Sequence, residues 1–164
     1  MTTIAFDGKM MAGDSCWSYD DAVDSLATKI HRLSSGALLG GAGDNDARLY
    51  AKLLDKVKTP SGLPSRADIL AIRCDYLGLL VLPRGRMFKI AGTHLSEANW
   101  GADFKDDIGI WEINAPFAAI GTGRPFALGA MAAGKSATEA VRIACRFDLN
   151  SKPPVHTIAL MKGE

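Results

Sequence analysis

Residues 1–15 read MTTIAFDGKMMAGDS, and this stretch decides the fold because it describes a hairpin with a threonine at its start. Residues 2–6 and 9–15 are β-favouring runs, and they are joined by Asp7-Gly8. Asp-Gly between two such runs is the strongest short-range signal for a tight hairpin. Two threonines directly after the initiator methionine raise the question of whether the α-amine of residue 2 takes part in the chemistry.

The rest of the chain alternates between strand and helix patterns. Strands are predicted at 28–33, 37–42, 76–82, 86–91, 110–113, 117–121 and 155–161, and helices at 44–57, 66–73, 125–133 and 137–147. Residues 92–109 are polar and aperiodic, which is typical of a long surface loop. This order predicts an α+β fold in layers with antiparallel strand pairing.

Composition describes a globular protein and excludes several classes of function. A chain of 164 residues is predicted to form a single domain over 1–164. A net charge of +1 gives no reason to expect nucleic acid or an anionic membrane as a partner. The cysteines, Cys16, Cys74 and Cys145, are odd in number and widely spaced, and the N-terminus lacks a signal-peptide pattern, so a cytoplasmic protein is expected.

Residues 129–136 read GAMAAGKS and match the phosphate-binding string G-x-x-x-x-G-K-[ST] in every letter. A phosphate-binding loop must follow a strand and leave its backbone N–H groups free for the anion. Here Pro125 and the alanine-rich residues after it favour a helix, which Gly134 ends. Ser136 and Glu139 form a capping-box pattern for the next helix. The string therefore predicts helix–turn–helix structure in preference to a nucleotide site at Lys135.

An N-terminal threonine can act as nucleophile and base at once. Its hydroxyl attacks a carbonyl, and its own α-amine, with a reference pKa of about 7.7 to 8.0, accepts the proton near neutral pH. This device at Thr2 requires removal of Met1, because a retained methionine would turn the amine into an amide. Threonine is small enough for ordinary methionine trimming.

Five separated motifs resemble the proteasome β subunits and the HslV-type peptidases. They are TTIAFDGKMMAGDS, TKIHRL, GGAGDNDA, AIGTGRPFALGAMAAGKSATEAVRIA and the D-x-x-S of residues 148–151, in the family's order. Short members from bacteria and phages without a propeptide are the most similar in appearance. The resemblance implies an N-terminal nucleophile hydrolase with a four-layer αββα sandwich, in which the second helix is shortened to about residues 65–74.

The resemblance also implies roles for single residues. Thr2 would be the nucleophile and base, with Lys29 as a nearby positive charge and Asp14 as its partner. The backbone N–H of Gly43 would face the oxyanion. The remaining implied catalytic residues would hydrogen-bond around the amine of residue 2: Thr122, Asp148 and Ser151. Substrate would bind as an added strand along Ser18 and Gly43, and the pocket for the residue before the cut would be bordered by Ala27, His31, Gly41 and Asn45, with His31 favouring a polar or acidic side chain.

Cofactors and partners are likewise expectations from the resemblance. No cofactor is expected, and whether a monovalent or divalent ion lies by residues 148–151 stays open. Peptides or unfolded protein would be the substrate, a ring-like or open homo-oligomer would enclose the sites, and an ATPase unfoldase would supply them. Residues 92–109 look like an insertion that covers the site or mediates assembly.

Other functions stay open at this stage. A small-molecule amidase would keep the nucleophile and change the substrate, and a non-catalytic assembly protein would keep the fold with Met1 in place. Cys16 paired with His31 is a weaker nucleophile candidate because no third orienting group is evident. His94 and His156 lack metal-ligand neighbours, so no transition-metal site is predicted.

Overall fold

A computed structural model describes residues 2–19, 22–43, 48–92 and 108–161. Within these residues the strands are β1 (Thr3–Phe6), β2 (Met10–Gly13), β3 (Cys16–Tyr19), β4 (Ala22–Leu26), β5 (Ile30–Arg32), β6 (Leu38–Gly43), β7 (Tyr76–Val81), β8 (Met87–Gly92), β9 (Gly109–Ile113), β10 (Ala118–Gly121) and β11 (His156–Ala159). The helices are α1 (Arg48–Leu54), α2 (Arg66–Ile72), α3 (Arg124–Ala132) and α4 (Ala137–Phe147).

Two antiparallel sheets carry most of these strands. One sheet has the order β10-β1-β2-β11, and the other has the order β5-β6-β7-β8-β9. The strands β3 and β4 form a separate hairpin. Sequence reasoning missed this hairpin, because residues 16–26 lack a glycine-centred turn signal of the kind at Asp7-Gly8.

Three hydrophobic clusters separate four layers of structure. The cluster between the two sheets contains Ile4, Met11 and Leu79. On the far side of the five-stranded sheet, Leu80 packs with Tyr50 of α1, and on the far side of the four-stranded sheet Ala5 packs with residues of α3 and α4. Leu79 and Leu80 fall on opposite sides because successive strand residues point to opposite faces. The predicted four-layer αββα sandwich is confirmed.

The turn between β1 and β2 is fixed by the Asp7 side chain. Its Oδ1 accepts hydrogen bonds from the backbone N–H of Lys9 (3.0 Å) and Met10 (2.8 Å), while Gly8 takes a φ of +91°. Its Oδ2 accepts from the N–H of Ala137 (2.9 Å) at the start of α4. The hairpin that carries the N-terminal threonine is thereby joined to the helix layer.

The short second helix is also confirmed. α2 begins at a capping box in which Ser65 and Asp68 exchange hydrogen bonds, and it ends at Arg73 in the left-handed conformation with φ 52°. The described part of the first helix, α1, is shorter than the predicted 44–57. Residues 44–47 lie outside the described ranges, and the helix ends at Leu54, three residues before the predicted end. Most of the predicted 92–109 loop, residues 93–107, lies outside them too.

The GAMAAGKS string is helix, turn and helix start, as predicted. Its first residues belong to α3, Gly134 has a φ of +83°, and Ser136 with Glu139 forms the capping box of α4. The backbone N–H of Lys135 donates to the carbonyl of Ala130 (3.0 Å), so this N–H is already bonded within the turn. Among the described helices, none is both long and apolar enough to cross a membrane.

Candidate active site

The strand pairing brings Thr2 and Asp14 together. Thr2 directly precedes β1 and Asp14 directly follows β2, and antiparallel pairing of Ile4 with Gly13 places these two ends side by side. The backbone N–H of Asp14 donates to the carbonyl of Thr3 (3.1 Å), which fixes the register at this point.

Lys29 reaches the same point from the other sheet. It directly precedes β5, and a Cβ on Gly13 would lie 2.9 Å from a side-chain carbon of Ile30, closer than real Cβ atoms come. Glycine at position 13 therefore lets β2 and β5 approach each other. This close approach brings the Lys29 ammonium to Asp14, with Nζ 2.9 Å from Oδ1.

The Asp14 carboxylate lies at the centre of five hydrogen bonds. Oδ1 accepts from the Thr2 hydroxyl (3.2 Å), the Thr3 backbone N–H (2.8 Å) and Lys29 Nζ (2.9 Å). Oδ2 accepts from the backbone N–H groups of Cys16 (2.9 Å) and Lys152 (3.1 Å). The side chain is fully buried, and a buried carboxylate is stable only when it is paired and hydrogen-bonded in this way.

A single carboxylate oxygen therefore joins the Thr2 hydroxyl to the Lys29 ammonium. Thr2 and Lys29 are themselves buried, at 1% and 6% exposure. Charges attract and orient more strongly in such surroundings than in water. The arrangement can fix the hydroxyl beside a cation, which is what an oxygen nucleophile needs.

A second polar cluster lies behind the first. The hydroxyls of Thr122 and Ser151 both donate to Asp148 Oδ2, at 2.8 and 2.5 Å. The Ser151 hydroxyl also meets the Thr3 hydroxyl at 2.5 Å. These three residues were expected to surround the amine of residue 2, whereas the hydrogen bond that leads from them to the chain start runs to the side chain of Thr3.

Two glycines that sequence reasoning did not select set the position of the chain start. A Cβ on Gly121, whose φ is +92°, would lie 1.9 Å from the carbonyl oxygen of Thr2. A Cβ on Gly123 would lie 2.0 Å from the Thr3 hydroxyl and 3.1 Å from Asp148 Oδ2. The sequence signal was present in the AIGTG segment, where two glycines flank the selected Thr122.

Two cavities open next to Thr2. The smaller, about 70 Å³, is lined by Thr2, Cys16, Trp17, Lys29, Gly41, Ala42 and Gly43. The larger, about 320 Å³, shares Trp17, Lys29, Gly41, Ala42 and Gly43 with it, and its remaining lining residues are Ala27, Thr28, His31, Leu39, Arg48, Ala51 and Tyr76. The shared lining residues place the larger cavity next to the one at Thr2.

The larger cavity includes one of two stacked tyrosines in its lining. Tyr76 lies against Tyr50 of α1 with ring centroids 4.1 Å apart and an interplanar angle of 10°. A Cβ on Gly41 would lie 2.3 Å from the Tyr76 hydroxyl, so glycine leaves the space that the ring occupies. Burial raises the pKa of Tyr50 to about 12 and raises the pKa of Tyr76 as well, so both phenols are neutral at physiological pH.

Gly43 lines both cavities and lies in close contact with the neighbouring strand. It pairs with Tyr76 in the β6–β7 ladder, and a Cβ at this position would lie 2.1 Å from the carbonyl oxygen of Asp75. Backbone atoms cannot yield as the end of a side chain can, so this site requires glycine. It lines the same 70 Å³ cavity as Thr2.

The residues predicted to bind substrate fall into three groups. Ala27, His31 and Gly41 line the larger cavity. Ser18 lies on β3 at a bulge between Trp17 and itself, and Asn45 lies outside the described residues. Sequence reasoning also selected the lining residues Lys29 and Gly43 but missed Trp17, Thr28, Leu39, Arg48, Ala51 and Tyr76. For Leu39 the available signal was the alternation of side chains in β6, which puts it on the same face as Gly41 and Gly43.

The three cysteines are free thiols. Cys16, Cys74 and Cys145 are free, and the first two are buried. Burial, with a smaller contribution from the charge of Asp14, raises the pKa of the Cys145 thiol to about 11. Among the residues described, no three His, Cys, Asp or Glu side chains are grouped as metal ligands.

Comparison with solved structures identifies the fold. HslV from Trypanosoma brucei is similar over 96% of this chain and 97% of its own, with a TM-score of 0.71 and 18% identity. BPH from Thiobacillus denitrificans is similar over 99% and 98%, with a TM-score of 0.64 and 21% identity. A second structure of BPH, in complex with epoxomicin, matches at 0.63 and 19% over the full length of both chains.

No family model matches the sequence, and no curated protein does. The solved structures are HslV and proteasome-type proteins. The chain has the fold of this class of N-terminal nucleophile hydrolases, as the five sequence motifs indicated.

Proposed function

We propose that the protein is a threonine peptidase whose nucleophile is the hydroxyl of Thr2 after removal of Met1. The observation that carries the proposal is the buried contact of one Asp14 oxygen with both the Thr2 hydroxyl (3.2 Å) and the Lys29 ammonium (2.9 Å), beside a cavity. The fold shared with HslV and with BPH is consistent with this chemistry.

The reaction would proceed through an ester on Thr2. The hydroxyl oxygen attacks the peptide carbonyl carbon while its proton passes to the α-amine of the same residue. The tetrahedral intermediate then expels the peptide amine, which takes that proton from the ammonium group. Water, activated by the same α-amine, adds to the ester and releases the carboxylic acid, and this step restores the Thr2 hydroxyl.

Asp14 and Lys29 would set the protonation of this site. The Lys29 cation beside the amine disfavours a second positive charge there and so favours the neutral, basic amine. Asp14 holds the cation in place through a hydrogen bond of 2.9 Å. The backbone N–H of Gly43 would stabilise the oxyanion, a contribution typically of about 2.7 to 4 kcal/mol for one donor.

The second cluster would position the chain start. Asp148 binds the hydroxyls of Thr122 and Ser151, and Ser151 binds Thr3 next to the nucleophile. We assign these three residues to positioning the nucleophile through Thr3, and we assign Ser18 and Gly43 to binding the peptide backbone as an added strand.

Peptide hydrolysis by three variants tests the proposal. We expect the wild-type protein to cleave short fluorogenic peptides, Thr2→Ser to retain part of the rate, and Thr2→Ala to lose it. Thr157→Ala is the matched control, because Thr157 is exposed on β11. A β-lactone should acylate Thr2 and add its full mass, since ring opening releases no leaving group. Epoxomicin is the first inhibitor to test, because BPH has been solved in complex with it.

Three outcomes would contradict the peptidase. Equal rates for the wild-type protein and Thr2→Ala would exclude Thr2 as nucleophile. A lactone adduct on Thr2 without turnover of any peptide would instead favour a small-molecule amidase. Retention of Met1 in the purified protein would remove the proposed base and favour a non-catalytic assembly protein.

We further propose that the chain works as a homo-oligomer in the cytoplasm and receives unfolded protein from an ATPase. Free cysteines fit a reducing compartment. The outer helices expose Phe126 (40%) and Phe147 (64%), whose rings lie 5.8 Å apart, together with Leu149 (86%). An exposed apolar cluster of this kind is a candidate subunit contact. Native mass spectrometry of Phe147→Ser should show fewer subunits than the wild-type protein, and an unchanged assembly would exclude this contact.

A further inference from the structure

We propose that the 320 Å³ cavity selects an acidic side chain, glutamate or aspartate, for the residue before the cut, and that Arg48 is the residue that selects it. The inference rests on the proposed peptidase function and specifies its substrate. Sequence analysis expected a polar or acidic preference from His31 alone, and Arg48 adds a permanent positive charge.

The location of the cavity makes it the site for this side chain. It shares five lining residues with the 70 Å³ cavity at Thr2, including Lys29 and Gly43. When the carbonyl of the bond to be cut lies at the Thr2 hydroxyl, the side chain of the residue before the cut lies next to the larger cavity. A volume of about 320 Å³ is at the lower end of the range for ligand pockets, which suits one side chain.

The charged residues that the structure describes in the lining of the cavity are basic. Its described lining residues include Arg48, His31 and Lys29 but no carboxylate. Lys29 is already paired with Asp14, whereas the structure describes no ion pair for the exposed Arg48. Arginine is permanently charged and can bind a carboxylate through two parallel hydrogen bonds.

The position of Arg48 on α1 places its side chain on the face of the helix that lines the cavity. Arg48 and Ala51 both line the cavity, and residues three apart lie on the same face of a helix. Tyr50 of the same helix is fixed by its stack on Tyr76, which also lines the cavity. His31 of β5 pairs with Leu39 of β6, and both line the same cavity. An entering carboxylate would therefore have both Arg48 and His31 as neighbours.

The test compares four fluorogenic peptides that differ only in the residue before the cut: Glu, Gln, Leu or Lys. The Glu and Gln peptides have nearly the same shape, so their ratio of kcat/KM isolates the charge. For the wild-type protein we expect Glu to exceed Gln by about tenfold, the size expected of one charged hydrogen bond, and to exceed Lys by more. Arg48→Met should reduce the Glu-to-Gln ratio to near one, and Arg48→Glu should invert the order of Glu and Lys.

A control and a second variant keep the test decisive. Arg142→Met, on the exposed face of α4 in the opposite helix layer, should leave the ratio and the rates unchanged. If the Arg48 variants do not fold, His31→Gln should still lower the Glu-to-Gln ratio, by less than the Arg48 variants would. The order of the four peptides with the wild-type protein then decides whether the cavity prefers an acidic side chain. A wild-type protein that cleaves the Leu or Lys peptide faster than Glu, or a ratio that Arg48→Met does not change, overturns the inference while the peptidase stands. No turnover of any of the four peptides together with no lactone adduct on Thr2 overturns the peptidase itself.

Discussion

Replacing Lys29 with methionine should destabilise the folded protein by about 3 kcal/mol. Methionine keeps the length of the side chain and removes the charge, which leaves the Asp14 carboxylate fully buried without a cation. Breaking a buried ion pair on one side typically costs about 3–5 kcal/mol. Asp14 keeps four other hydrogen bonds, so the lower end of this range applies.

The partner substitution Asp14→Asn should cost at least as much. An asparagine amide can accept on one side only, so its NH₂ group would face two N–H donors, those of Cys16 and Lys152, now 2.9 and 3.1 Å from Oδ2. An unsatisfied buried donor costs about 1–3 kcal/mol. The double variant has neither buried charge, so its loss should fall short of the sum of the two single losses by about 2 kcal/mol.

Urea unfolding at a fixed protein concentration measures these losses, because any assembly links stability to concentration. Thermal unfolding should show a drop of about 6–12 °C for Lys29→Met in a chain of this size. Lys52→Met is the matched control on the exposed surface of α1 and should change stability by no more than about 0.5 kcal/mol. A loss below about 1 kcal/mol for Lys29→Met, or strict additivity in the double variant, would refute the buried ion pair.

Three further predictions concern single positions. Gly121→Ala should lower the free energy of unfolding in urea by at least about 1–2 kcal/mol and abolish peptide cleavage, because Gly121 has a φ of +92° and the added Cβ would lie 1.9 Å from the Thr2 carbonyl oxygen. The control is Gly129→Ala in α3, which should stabilise the protein by about 0.5–1 kcal/mol because the added Cβ meets no atom within 4 Å. Similar changes in stability for both variants would contradict the geometry at Gly121. Burial raises the pKa of Cys145 from 9.0 to about 11, so near pH 8 this thiol should react with iodoacetamide about 100-fold more slowly than a thiol of pKa 9.0. The reaction rate should rise tenfold per pH unit toward pH 11, as measured by mass spectrometry of the modified peptide. A rate that levels off near pH 9 would contradict the raised pKa. Lys135→Ala should change the free energy of unfolding by less than about 0.5 kcal/mol, since it removes only the exposed ion pair with Glu139, whose charged atoms are 3.3 Å apart. Calorimetry should detect no ATP binding by the wild-type protein or by the variant. Measurable ATP binding would contradict the assignment of residues 129–136 to helix, turn and helix start.

Local signals in the sequence predicted most of the fold. The Asp7-Gly8 turn, the capping pattern of Ser136 with Glu139 and the glycine at 134 each act over a few residues, and the structure confirms all three. The pairing of β3 with β4 was missed because the sequence between Tyr19 and Ala22 contains no glycine that would predict a hairpin. A hairpin without such a glycine gives no local signal of this kind in the sequence.

The candidate site was predictable only in part, because its members come together through tertiary packing. Asp14 and Lys29 could be selected by motif, and the structure places them 2.9 Å apart. Arg48 could not be selected, because nothing local shows that α1 packs over the cavity beside β6. The link from Ser151 to Thr3 was also missed, since it joins residues 148 positions apart.

The most direct test of the central claim is peptide hydrolysis by one protein sample before and after an N-terminal fusion partner is cut off immediately before Thr2. The cut leaves the sequence from Thr2 onward unchanged and converts the α-amine from an amide to a free base. We predict that the uncut fusion is inactive, that cleavage brings activity, and that Thr2→Ala stays inactive after the cut. Equal hydrolysis before and after the cut would contradict the claim that the α-amine of Thr2 is the base.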